Sequence, residues 1–146
     1  MPQLRIVNPA EYLPQVGALL AANWAETGFD FEFRPDEATY QRLYDAGMCF
    51  AVGAFEGGEV LGYCTVTVVP HPHNPAVVVA SNDALYVRPD HRRGLLAGRL
   101  IVTAEREARA RGARRFTWHT RAGTDLAQVM QRHGYTPVDV VVMKEL

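Results

Sequence analysis

Lysine is almost missing from this sequence. Lys144 is the only one among 15 lysines and arginines in 146 residues, so arginine is the chain's ordinary cation and its mere presence marks no site. Cysteine is nearly as scarce. Cys49 and Cys64 lie in apolar, strand-like stretches with no CxxC spacing and no neighbouring histidine cluster. That argues against a disulfide framework or a metal centre and for buried, reduced thiols. No unbroken apolar run approaches the ~20 residues that span a bilayer. The first residues also lack the basic-then-apolar order of a signal peptide, so a cytoplasmic protein with no membrane partner is expected. Repeats, low-complexity tracts and long linkers are absent as well. At 48% hydrophobic, the chain can bury a sizeable core, and one domain over residues 1–146 is the expectation.

What is present is unevenly spread. From Arg88 to Arg121 there are ten arginines against Asp90, Glu105 and Glu107, whereas residues 1–59 hold nine acids against Arg5, Arg34 and Arg42. One half should attract anions and the other cations. The formal net charge of −1 and the lack of a reading motif argue against a nucleic-acid partner, although an arginine-rich nucleic-acid-binding domain stands as one alternative.

The pattern of elements is legible. Leu4 to Val7 suits a strand, and Asn8-Pro9 starts a helix from about Glu11 to Ala25 with Leu13, Val16, Leu19 and Leu20 on one face. Pro35-Asp-Glu opens a second helix that carries Tyr40, Leu43 and Tyr44. Met48 to Phe55 and Val60 to Val69 form a hairpin across Glu56-Gly-Gly-Glu59. Three prolines make Pro70 to Pro75 a loop. Pro75 to Ala80 and Asp83 to Val87 are strand on either side of a bend or bulge at Ser81-Asn82. A helix from about Arg93 to Arg111 buries Leu96, Leu100, Ile101 and Ala104, followed by a strand at Phe116 to Thr120, a short helix to His133 and a last strand at Val138 to Met143. The predicted order is β-α-α-β-β-β-α-β-α-β.

At the join of the fourth strand and third helix the chain reads Leu85-Tyr-Val-Arg-Pro-Asp-His-Arg-Arg-Gly-Leu-Leu-Ala-Gly98. A strand entering a helix through an arginine and glycine turn is an anion site, because free N–H groups and the helix dipole both favour negative charge there. Arg92-Arg93-Gly94-Leu95-Leu96-Ala97 resembles the acyl-CoA loop of the GNAT superfamily of N-acyltransferases, with Leu95 in place of the inner glycine and Gly98 just beyond. Leu85 to Arg92 is similar to that family's strand leading into its loop, and Gln131-Arg-His-Gly-Tyr-Thr-Pro-Val138 to its last helix and turn. The resemblance implies an α/β fold with a mixed sheet splayed at its middle. It also implies acetyl-CoA as co-substrate, held by Leu85, Tyr86, Val87 and Arg92, Arg93, Gly94, Leu95, Leu96, Ala97, Gly98. The activity implied is transfer of an acetyl group to a primary amine of a small molecule or peptide by direct attack. A homodimer is implied too, with the apolar last strand needing a cover.

The resemblance also places a proton-donating tyrosine where this chain has Met130, and Tyr135 occupies a packing position. For the base, Asp83 and His119 are the candidates. Asp83 also reads as a bend residue capping N–H groups, and His119 as a structural group in a half-buried strand. His71 and His73 have no acidic or cysteine partner at metal-ligand spacing, so no metal is expected. In Gly28-Phe-Asp-Phe-Glu-Phe-Arg34, Phe29, Asp30, Phe31 and Glu32 place rings and carboxylates around a cationic amine, or else form an edge strand with buried rings. Leu95 and Met130 keep open a second alternative, a non-catalytic acyl-CoA-binding regulatory module with the same fold.

Overall fold

The computed structural model describes residues 1–14 and 16–146. Its sheet has five strands in sequence order: β1 (Gln3–Val7), β2 (Cys49–Glu56), β3 (Glu59–His71), β4 (Asn74–Val87) and β5 (Ala113–Thr117). The first four pair antiparallel and β5 joins β4 in parallel, so the sheet is mixed as expected. Strand alternation gives each face a separate core. On one side Phe50, Val52, Cys64 and Val66 meet Leu96, Leu100, Ala104 and Ala108 of α4 (Leu96–Ala110), a stripe at the four-residue spacing of a helix face. On the other, Tyr63 and Tyr86 meet Tyr12 of α1 (Pro9–Tyr12) and Val16, with Leu19 and Leu20 of α2 (Gly17–Thr27) against them. The predicted first helix is thus two, and its position 15 lies outside the described residues.

The next helix, α3 (Glu37–Asp45), is capped by Asp36, whose carboxylate accepts from the Thr39 N–H at 3.0 Å. The three-proline stretch departs from expectation. It is a tight turn at Pro72-His73, and strand continues to His71 and resumes at Asn74. Pairing of β3 with β2 stops at Thr67, so Pro70 lies on a stretch paired on one side only, where a missing donor is tolerated. The interruption in β4 is a bulge. Thr65 faces Ala84 and Val66 faces Asn82, leaving Asp83 as the extra residue.

The expected last strand, Val138 to Met143, is not formed. After α5 (Asp125–Arg132) the chain turns at Gly134, whose φ of +89° suits glycine, and residues 136–146 carry no strand. Val138, Val140, Val141, Val142 and Met143 are all 73% to 89% exposed. A β-branched run becomes a strand only when an edge receives it. Among the described residues nothing pairs with the outer edge of β5.

Candidate active site

Three local devices build one site around the outer half of β4. The first is a divergence of strands. β5 pairs with β4 only from Val78 to Ser81, and beyond that the two separate. Asn82 spans the gap with its side chain, accepting the His119 N–H at 2.6 Å and donating to the His119 carbonyl at 3.2 Å. Past Ser81 no strand lies beside β4 on that side among the described residues, so the backbone of Leu85, Tyr86 and Val87 borders an opening.

The second device is the bulge. Strict alternation would put Asp83 on the same face as Leu85, which packs with the α4 core. The extra residue turns Asp83 to the opposite face, where it lines a cavity of about 310 Å³ together with Tyr40, Tyr63, Trp24, Phe29 and Arg121. Tyr40 Oη donates to Asp83 Oδ2 at 2.6 Å. Burial, with the Asp83 charge second, pushes the Tyr40 hydroxyl well above its ordinary value, so it stays a donor through neutral pH. The bend-capping alternative for Asp83 has no support, since the hydrogen bond of its carboxylate goes to Tyr40 on α3.

The third device is the start of α4. Its N-cap is Leu95, no side chain caps it, and Leu95 is 81% exposed. A single 3-10 turn, Pro89–His91, delivers the chain there, and the first N–H groups of a 15-residue helix open outward. A Cβ added at Gly94 or Gly98 would meet nothing within 4 Å. Leu95, at the inner glycine's place, is itself largely exposed to solvent. The donor set fits a polyphosphate: open backbone N–H groups, the dipole, and the exposed Arg93. Arg92 has partners within the chain. Its Nε donates to the Val87 carbonyl at 2.7 Å, its Nη2 pairs with Glu26 at 2.7 Å, and its guanidinium sits 5.1 Å from the Tyr86 ring centre. It ties the turn to β4 and α2. Arg92→Ala should therefore cost about 1 to 2 kcal/mol of stability, visible as a lowered Tm of the ligand-free protein, in addition to any loss of anion affinity.

The segment after α2 folds around Trp24. Its ring stacks on Phe29 at 5.0 Å and meets Phe31 at 5.1 Å and Phe33 at 5.4 Å, while its Nε1 donates to the Phe31 carbonyl at 3.1 Å. No strand forms there, and Phe29 and Phe31 stay 48% and 60% exposed, so the edge-strand alternative fails. Phe29 lines the cavity, Phe31 packs on Trp24, and Asp30 and Glu32 face solvent outside the lining. His119 is held by its backbone and is exposed at the end of β5. Its side chain does not line the cavity.

Tyr135 is engaged elsewhere. Its hydroxyl donates to Glu105 at 2.6 Å, beside the Trp118 Nε1 donation to the same oxygen at 2.9 Å, and burial with the Glu105 bond pushes its pKa up to about 12. Met130 is buried at 5% exposure. Burial pushes the Cys49 thiol up to about 11 and raises Cys64 further, so neither is a thiolate at neutral pH. Tyr40, Trp24 and Arg121 were not foreseen as site residues. Tyr40 and Trp24 carry only the signal of an aromatic at helical spacing, and Arg121 none.

Residues 17–135 match the acetyltransferase (GNAT) family. The chain belongs to that family. No curated protein sequence matches it. Solved structures resemble it along almost their whole length. Ribosomal-protein-alanine N-acetyltransferase from Brucella melitensis biovar Abortus 2308 is 18% identical with a TM-score of 0.72, covering 100% of this chain and 99% of that one. AAC(6')-Iy in complex with a bisubstrate analogue, CoA-S-monomethyl-acetylneamine, is 18% identical with a TM-score of 0.76 and coverages of 100% and 98%. A transcriptional regulator from Bacillus halodurans C-125 is 16% identical with a TM-score of 0.77, each chain covered in full. At these identities the likeness establishes the fold. Among the described residues no helix is long and apolar enough to cross a membrane.

Proposed function

We propose that residues 1–146 act as one cytoplasmic N-acetyltransferase domain that moves an acetyl group from acetyl-CoA to a primary amine by direct attack, with Asp83 as the base. The observation that carries this reading is the bulge that aims Asp83 into the cavity at the point where β4 and β5 part. The N–H groups at the start of α4, with Arg93, would hold the polyphosphate, and the free edge at Leu85 to Val87 would border the rest of the donor. When bound, acetyl-CoA supplies an acetyl group already activated as a thioester. The chain's own task is then to make the amine a nucleophile and bring it close.

Asp83 accepts the proton that the incoming ammonium must lose, directly or through water, and Tyr40 fixes the carboxylate for that transfer. The stacked rings of Trp24 and Phe29 supply an apolar wall against which the body of the amine can pack. Met130 has no proton to give, so the departing sulfur takes its proton from solvent. His119, outside the cavity lining, is the lesser candidate. The likeness to a transcriptional regulator keeps a regulatory acyl-CoA-binding module in view. Both readings require acetyl-CoA to raise the Tm, as ligand binding to the native state alone does. Unchanged melting at millimolar acetyl-CoA would remove both.

The same reading includes self-association. The tail exposes its valines, β5 has an edge unpaired among the described residues, and Asp139 and Glu145 on the tail, beside Lys144, oppose in sign Arg114 and Arg115 on that strand. Two copies exchanging tails would cover both. Sedimentation at micromolar concentration is expected to give a dimer, and deletion of residues 138–146 a monomer. A monomeric full-length chain would refute the dimer.

A further inference from the structure

The cavity beside Asp83 has a chemistry of its own that narrows the acceptor. Among the described lining residues Asp83 is the only carboxylate and Arg121 the only cation, and the surface between them is largely rings and aliphatic groups. Two of the three phenolic O–H groups there already have acceptors, and the third phenol, Tyr63, accepts from Asn23 and keeps its own O–H. Tyr40 donates to Asp83, Asn23 donates to Tyr63 Oη at 2.8 Å, and Tyr12 donates to the Gly62 carbonyl at 3.4 Å. Such a wall has few groups left for a ligand rich in hydroxyls, and a single carboxylate is poorly matched to several ammonium groups.

Arg121 is the arginine that lines this cavity. Arg88, Arg92 and Arg111 each pair with a carboxylate, whereas Arg121 pairs with none among the described residues. Its Nη1 donates to the Thr27 carbonyl at 2.7 Å, and its guanidinium lies 5.5 Å from the Phe29 ring centre. That anchors the group at the cavity with further N–H donors to spare. We infer that the acceptor is a small primary amine with an apolar or aromatic body and an anionic group, the amine directed to Asp83 and the anion to Arg121. This rests on the acetyltransferase reading and names the substrate class of that site.

The test compares para-aminomethylbenzoate, benzylamine and spermidine as acceptors, with thiol release from acetyl-CoA as readout. The benzoate should exceed benzylamine in kcat/KM by about tenfold or more, as one charge-assisted contact provides, and spermidine should be poorest. In Arg121→Gln, which keeps a donor for the Thr27 carbonyl, the advantage of the benzoate should fall to within about twofold, and Arg121→Lys should recover part of it. A preference for spermidine, or a benzoate advantage indifferent to Arg121→Gln, would overturn the inference while leaving acetyl transfer intact. Calorimetry of para-aminomethylbenzoate with CoA present separates the two ideas. Arg121-dependent binding without acetylation would keep the ligand class and refute the transferase reading, and neither binding nor turnover would overturn the ligand class.

Discussion

Asp83→Asn is expected to slow acetyl transfer at neutral pH by about a hundredfold or more, the usual weight of a positioned general base. Asparagine keeps the size of the side chain and can still accept from Tyr40, so the cavity should persist. What it cannot do is take a proton. The remaining rate should climb as the pH rises and more of the amine arrives neutral, narrowing the gap to wild type under alkaline conditions. Acetyl-CoA affinity should hardly change, because the carboxylate faces the opposite side of β4 from the α4 core. Tyr40→Phe removes only the group that orients Asp83 and should cost about tenfold. His119→Gln should leave the rate within a few-fold of wild type. Wild-type rates for Asp83→Asn from acid to alkaline pH would show that the amine needs no base from this residue.

The second large effect is a pair of opposite changes from one substitution. Gly98 is the third residue of α4, and a side chain there meets no neighbour within 4 Å. Gly98→Glu replaces a poor helix former with a good one and adds a negative charge in the first turn, worth together about 1 kcal/mol. The Tm of the ligand-free protein should rise by about 3 °C. Acetyl-CoA affinity should fall by at least about tenfold, since the new carboxylate confronts the phosphates at the same N–H groups. A misfolded variant would lose both stability and affinity. Unchanged affinity beside a raised Tm would place the donor somewhere other than the start of α4.

The hairpin and the strand-to-helix turn were legible in the sequence because both are local signals. The β-branched and aromatic runs of β2 and β3, the buried four-residue stripe of α4 and the glycine-arginine turn each lie within one segment, and each is where the sequence places it. The cavity is a different matter. Tyr40, Arg121 and Trp24 come from three separate elements, and nothing in their neighbourhoods announces that they converge. Asp83 was legible as a candidate, yet its direction depends on a one-residue register shift against Thr65 and Val66 that no single strand encodes. The valines of 138–143 gave a false strand for a related reason. Their β-propensity is real, but a strand also needs an edge, and the single chain does not bring one to them. Arg92 adds what its type alone does not tell: its partners also make it a tie between β4, α2 and the turn.

The most direct test is to incubate the protein with acetyl-CoA and a panel of primary amines, following thiol release together with the mass of each amine. Amine-dependent thiol release is expected, with one acetyl group gained by the amine for each thiol freed, fastest for compact amines that carry an anionic group on an apolar body and strongly reduced in Asp83→Asn. Tight acetyl-CoA binding with no acetylated amine across the panel would contradict this and mark the chain as an acyl-CoA-binding module.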